Sequence, residues 1–282
     1  MKPAHPGRRD FLLLVACILP ALVLGVAWMR QTGVPPAVYM QNVAAAVAGA
    51  AIAAYGSRRH VSATRGLAIL IVAILLLLMT LPTSGLQGVH RWIRVGPLNF
   101  HVAFLAIPLV LVELDRILHS TRLAVAFCAM VIITATLTLQ PDASQATAFA
   151  GSSVVLLAAH RKRNPAAVAA MLALLALAGA SFLKADPLAP LPHVEEIAIR
   201  IAERGAAWQA IVLAALTLMI APFAVQTVTV SKSAGVAVAV YLALVTIASY
   251  WGNFPVPVLG YGMSPILGYL AGWTWLRATP CA

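Results

Sequence analysis

The chain has 282 residues, 62% of them hydrophobic and 10% charged, with a mean hydropathy of +0.93 and a formal net charge of +11. A soluble domain cannot carry that balance, so the composition predicts an integral membrane protein. Nucleic acid is excluded as a partner, because the basic residues form no aromatic-interleaved patch and lie between apolar runs, as cytoplasmic loop residues do.

In chain order, a basic start, MKPAHPGRRD, precedes an apolar run over 11–29. That run is long for a signal-peptide core and matches a membrane span, so it reads as a retained first helix. Nine more runs follow, at about 37–56, 66–82, 99–114, 123–139, 143–159, 165–183, 207–225, 234–251 and 261–276. Together they predict about ten transmembrane helices in a single polytopic domain over 1–282.

Charge tests the count. With both termini cytoplasmic, the inner segments hold Lys2, Arg8, Arg9, Arg58, Arg59, Arg65, Arg116, Arg122, Arg161, Lys162, Arg163, Lys232 and Arg277. The outer segments hold only Arg30, Arg91, Arg94, Lys184, Arg200 and Arg204, which is the bias that the positive-inside rule expects. Cys17, Cys128 and Cys281 are far apart and form no CxxC or Cys/His spacing, so neither a metal site nor a disulfide framework is indicated.

Four polar islands fall on the outer side. The first, GVHRWIRVGPLNF, sets Arg91 and Arg94 around Trp92. It suits an interfacial anchor first, and a phosphate contact as the functional alternative. The second, Gln140-Pro141-Asp142, puts an acid at a helix start; this is a capping position, or a functional acid at the edge of lipid. The third is the loop over 184–206, proline-rich and then VEEIAIRIAERG, a short amphipathic helix stopped by Gly205. Glu195 and Glu196 are adjacent there and do not share one helical face, so they are not a catalytic carboxylate pair. The fourth, FPVPVLGYGMSP, breaks an uncharged stretch with Pro255, Pro257, Gly260, Gly262 and Pro265. Non-helical backbone at membrane depth survives only against protein or a water-filled cavity, so this is a broken or re-entrant segment, or else a plain loop. Glu113 and Asp115 sit beside Arg116 and read as interfacial ion pairing.

Taken in order, these islands resemble the SEDS family (shape, elongation, division and sporulation) of the RodA, FtsW and SpoVE type. The family's P-L-P-F-I-S-Y-G-G-S is similar to Pro255-Val256-Pro257-Val258-Leu259-Gly260-Tyr261-Gly262-Met263-Ser264. Gln140-Pro141-Asp142 resembles its Q-P-D-x-G-[ST] without the later glycine, and Arg91-Trp92-Ile93-Arg94-Val95-Gly96 resembles its R-W-I-x-L-G. The family's Q-P-S-E that follows is replaced by Asn99-Phe100-His101-Val102-Ala103. In the outer loop, Leu191-Pro192-His193 and Ala202-Glu203 align Glu195 with the family's catalytic aspartate, with Glu196 as the rival. The resemblance runs from about Gly88 to Gly272, in a chain shorter than the family's usual members.

The resemblance implies an all-α SEDS-like bundle in the bacterial cytoplasmic membrane. Its activity would be glycosyl transfer that polymerises an undecaprenyl-diphosphate-linked saccharide of the lipid II type on the outer face. Glu195 or Glu196 would be the base, Arg91, Arg94, Arg200 and Arg204 would hold phosphate, and Mg²⁺ or Mn²⁺ could share that role. Trp92, Gln140, Asp142, Pro255, Pro257, Tyr261, Gly262 and Ser264 would support the site. A single-pass class B penicillin-binding protein, a transpeptidase, is the partner implied. Two other readings stand beside it: a non-catalytic relative that binds precursor or scaffolds a synthase, and a lipid flippase or transporter.

Overall fold

In a computed structural model of the protein, the described residues are 8–56, 62–120, 122–161, 163–184, 186–225 and 231–278, with side chains from 11 onward. Lys2, Arg58, Arg59, Lys162 and Cys281 therefore lie outside the described residues, as do the side chains of Arg8 and Arg9.

Each of the ten apolar runs contains one long helix. In order these are α1 (Arg8–Gln31), α2 (Pro36–Gly56), α3 (Ala63–Met79), α4 (Val102–His119), α5 (Leu123–Leu139), α6 (Ala143–Arg161) and α7 (Pro165–Ala180). After a short α8 (Ile197–Ala202) come α9 (Ala206–Ala224), α10 (Lys232–Ala248) and α11 (Met263–Ala278). Local chemistry sets several starts. Ser62, Asn164 and Ser231 each accept a backbone N–H of the first turn of α3, α7 and α10, and Pro165 opens α7 with its φ already helical. Among the described residues four helices are long and apolar enough to cross a bilayer: α1 from Phe11, α2, α7 with the 3₁₀ turn that extends it to Leu183, and α9. Ala63–Met79, Leu123–Leu139 and Lys232–Ala248 are shorter apolar helices.

The fourth run departs from expectation at its start. A β-hairpin, β1 (Trp92–Val95) and β2 (Leu98–His101), occupies the expected first turn, and the helix begins only at Val102. Gly96 takes φ 59 at the turn and Pro97 follows it, so the chain reverses before the helix can form.

Helix α4 is the axis of the bundle. It is buried along most of its length, from Val102 to Leu118, and packs on α11, α3, α6 and α10. Small residues permit close approach. A Cβ on Gly268 of α11 would run into the Phe104 carbonyl, and one on Gly272 would lie 2.5 Å from Pro108 Cβ. Outward faces carry Val47, Ile52, Leu75, Leu172 and Leu213, all exposed. An apolar exterior around a packed interior is the arrangement of a membrane bundle, and the chain is a multi-pass membrane protein.

Candidate functional site

One end of the bundle gathers three non-helical pieces: the β-hairpin, the loop before α8, and the broken segment between α10 and α11. The broken segment is not a surface loop. Val256, Val258 and Leu259 are at most 1% exposed. Val258 takes φ 67, a left-handed conformation that a β-branched residue adopts only when its surroundings impose it.

Those surroundings are specific. Asn42 of α2, fully buried, donates from Nδ2 to Gly260 O at 2.9 Å and accepts Gly262 N–H on Oδ1 at 2.9 Å. Val256 N donates to Val194 O at 3.1 Å and Tyr261 N to His193 O at 2.8 Å. Gly260 lies against Val194 O, which a Cβ would approach to 2.6 Å. The broken segment, a buried plug, and the loop bearing Glu195 are thus one hydrogen-bonded unit, and Asn42 supplies the partners that a helix would otherwise provide. Replacing Asn42 by alanine leaves the buried Gly260 carbonyl unpaired, at about 1–3 kcal/mol, and removes the partner of the half-buried Gly262 N–H. The expected result is a clearly lowered midpoint in thermal or denaturant unfolding of the detergent-solubilised protein.

A cavity of about 160 Å³ opens at this junction. Its lining includes Trp92, Asn99 and His101 from the hairpin, Glu195 from the loop, and Pro255, Tyr261, Gly262 and Ser264 from the plug and α11. A second cavity of about 470 Å³ shares Trp92 and Asn99 and adds Arg94 and the turn residues Thr83 to Leu86. Trp92 stands between the two, its ring edge-on to His101 with centroids 5.7 Å apart.

Glu195 lines the smaller cavity with a carboxylate that accepts Leu191 N–H at 2.8 Å. Burial pushes its carboxyl above the ordinary glutamate range, while Leu191 N–H and the Arg91 charge pull the other way. Glu196 turns outward and pairs with Arg200 at 2.8 Å, both side chains partly exposed. The structure therefore separates the two rivals by position, with Glu195 alone in the cavity.

The arginines differ from expectation. Arg91 is 3% exposed and does not offer its guanidinium to the cavity. It donates to Asp186 at 2.6 Å and to the Pro141 carbonyl, and its Nε lies 3.6 Å from Asp142 Oδ2. Arg200 is held by Glu196, and Arg204 donates to Gln31 and stacks on Trp28 at 4.5 Å and Trp208 at 5.6 Å. Arg91 is thus committed inside the protein, because a buried guanidinium must find its partners there, whereas Arg200 and Arg204 are exposed and do not line the cavity. Arg94 lines the larger cavity, its Nε donating to Asn99 Oδ1 at 3.2 Å.

Asp142 is more than a helix cap. Its Oδ1 accepts Gln145 N–H at 3.3 Å, and its Oδ2 faces both Arg91 and, at 3.3 Å, His101 Nε2. Burial opposes its charge, but Arg91 and His101 outweigh burial and hold the carboxyl below its usual range. Gln140 sits behind it, donating to Thr80 Oγ1 at 2.5 Å and Leu77 O at 3.1 Å, outside the cavity. Ser264 Oγ accepts His101 N–H at 2.8 Å and ties α11 to the hairpin, and Tyr261 Oη donates to Gln41 at 3.0 Å. Asn42, His101 and Asp186 are structural partners that the sequence reading left out. For Asn42 a signal existed, since Gln41-Asn42 is a polar pair inside an apolar helix.

A helical membrane bundle that closes one end with a hairpin, a buried plug and a carboxylate-bearing loop defines the class of fold. It is a SEDS-type fold, the fold of RodA. The crystal structure of the Thermus thermophilus rod shape determining protein RodA superimposes with a TM-score of 0.73 at 19% identity, covering 94% of each chain. An aspartate-to-alanine mutant of the same protein gives 0.73 at 19%, covering 94% of this chain and 95% of that one. A chain from a structure described as "structural coordination of polymerization and crosslinking by a peptidoglycan synthase complex" gives 0.70 at 17%, covering 94% and 96%. No protein-family model and no curated protein sequence matches the chain.

Proposed function

We propose that the protein is a membrane glycosyltransferase that extends a glycan from a lipid-diphosphate-linked saccharide of the lipid II type, at the outer face of the bacterial cytoplasmic membrane. The observation that carries this reading is Glu195, a half-buried carboxylate with a raised proton affinity in a cavity at the end of a RodA-like bundle. A sugar hydroxyl attacking an anomeric carbon must lose its proton, and a carboxylate whose proton affinity is raised is a better acceptor for it. Glu195 takes the proton as the hydroxyl oxygen bonds to the anomeric carbon, and the lipid diphosphate departs with the electrons of the broken bond. Tyr261, Gly262 and Trp92 shape the walls, and the Arg91–Asp142–Asp186 group fixes the floor from which hairpin and loop project.

The departing diphosphate needs positive charge. Arg94, on the wall of the adjoining larger cavity, suits that role, since its planar fork can bind two oxygens. Arg94→Ala is expected to raise KM for the lipid substrate at least about tenfold with a smaller change in kcat, the lower end of the ~1.5–3 kcal/mol of a hydrogen bond to a charged group. Steady-state kinetics over a range of lipid concentrations reads this. Among the described residues Glu195 is the one carboxylate lining the cavity, which does not fit a resident Mg²⁺ or Mn²⁺ ion, since such ions take several oxygen ligands.

The test is polymerisation of labelled lipid-linked disaccharide by purified protein, with and without Mg²⁺ or Mn²⁺. A transpeptidase partner is included in a parallel arm, because a neighbour of this fold was solved in a synthase complex that couples polymerisation to crosslinking. Product from the wild type in either arm supports the reading. Lipid binding without product in both arms assigns the protein to non-catalytic precursor binding.

A further inference from the structure

At the far end of the bundle from the Glu195 cavity, α4, α6 and the start of α10 enclose a second polar group. Asp115 is 3% exposed. His119 lies four residues on along the same face of α4, with Nδ1 3.5 Å from Asp115 Oδ2, and His160 of α6 places Nε2 2.8 Å from Asp115 Oδ1. Ser231 and Ser233 donate to the same carboxylate, at 2.6 and 2.5 Å. The two imidazole rings stand edge to face, with centroids 4.2 Å apart. Asp115 does not pair with Arg116, against the sequence expectation: Arg116 binds Glu113 at 2.5 Å and the carbonyls of Ser62 and Ala63. Arg161 is committed to the carbonyls of His160 and Leu118. His119 Nδ1 also lies 3.1 Å from the Asp115 carbonyl, so both imidazole nitrogens face oxygens of Asp115 while the neighbouring arginines serve other groups; a metal ion bound here would displace the protons those nitrogens carry toward Asp115.

We propose that Asp115, His119 and His160 form a binding site for one divalent transition-metal ion of the zinc class, bridging α4 and α6. One carboxylate oxygen and two imidazole nitrogens are a donor set that such ions prefer over Mg²⁺ or Ca²⁺. The three ligand atoms lie within 4.8 Å of one another. Tetrahedral ligands at zinc distances sit about 3.4 Å apart, so modest side-chain rotations suffice to bring them to a common centre. Ser231 and Ser233 hold the carboxylate in orientation, the role that outer hydrogen bonds play around metal sites. An open cavity of about 630 Å³, lined by His160, Arg163 and Pro165, brings solvent to the His160 edge of the group.

The test uses the full-length protein in detergent, stripped with chelator, with Zn²⁺ as calorimetric titrant and Co²⁺ as spectroscopic probe. The expected result is one Zn²⁺ per chain at micromolar Kd or tighter, visible Co²⁺ absorption bands, and a Tm raised by roughly 5 °C at about 100 Kd of Zn²⁺. The double variant His119→Gln, His160→Gln should weaken binding at least about a hundredfold and remove both the bands and the Tm shift. Size-exclusion chromatography establishes that the variant is folded, and Ser233→Ala, a gentler change, should weaken binding about tenfold. No stoichiometric uptake by the wild type, or uptake that both variants retain in full, would overturn the proposal and leave the group a hydrogen-bonded polar knot.

Discussion

Glu195→Ala is expected to lose at least about a hundredfold in polymerisation rate, the lower end of what a positioned general base contributes. Glu196→Ala should stay close to wild type, because Glu196 lies in a solvent-screened pair with Arg200 away from the cavity. The contrast between adjacent glutamates separates a role in the cavity from general damage to the loop. The pH profile adds a second signature. The base must be ionised to act, so activity falls as pH drops through the Glu195 pKa. Burial places that limb above the ordinary glutamate range. Initial rates measured across acid and neutral pH should show the limb in the wild type and lose it in Glu195→Ala.

Arg91→Ala should be the most destabilising single change in the site, by about 3–5 kcal/mol, the usual loss when one member of a buried ionic group is removed. Arg91 neutralises Asp142, 1% exposed, and Asp186, 15% exposed, and also ties down the Pro141 carbonyl. Without it two carboxylates remain in a poorly solvated position. Linkage gives the sign of the pH effect. The folded-state pKa of Asp142 is depressed, so its contribution to stability is present above the ordinary aspartate range and fades as pH falls through the lower folded value. In Arg91→Ala that acid-side loss should disappear, since the depression comes mainly from the guanidinium. The same cation also lowers the Glu195 pKa, so a variant that still folds should show its activity limb displaced to higher pH. Denaturant unfolding at several pH values and a rate profile of Arg91→Ala check both shifts. A purely structural role for Arg91 would lower stability without moving the limb.

The two readings of Arg91, interfacial anchor and phosphate ligand, both assumed an outward side chain. Neither describes a guanidinium that turns inward to bridge the hairpin, the turn before α6 and the outer loop. The spacing Arg91-Trp92-Ile93-Arg94 gives no hint of this, because Asp186 is 95 residues away and its approach depends on how α7 delivers the loop. Glu195 and Glu196 could not be separated for a similar reason. Adjacent residues point in different directions on any backbone, and the loop's orientation is fixed by its hydrogen bonds to Val256 and Tyr261. The Asp115 group was hidden in the same way. Its i,i+4 pair with His119 lies in α4, but His160 and the two serines arrive from α6 and α10.

The sequence by itself determined the membrane class, the places of the ten long helices and the break at Pro255 to Gly262. Hydrophobic run length, capping residues and proline act locally, and local physics is written in consecutive residues. It also marked the polar islands, because a polar residue in an apolar chain is conspicuous wherever it ends up. The tertiary structure alone decided which islands meet, which carboxylate faces the cavity and which arginines have charge to offer. Those outcomes depend on desolvation and on partners distant in the chain, and a buried charge takes its role from whatever neighbour the fold brings to it.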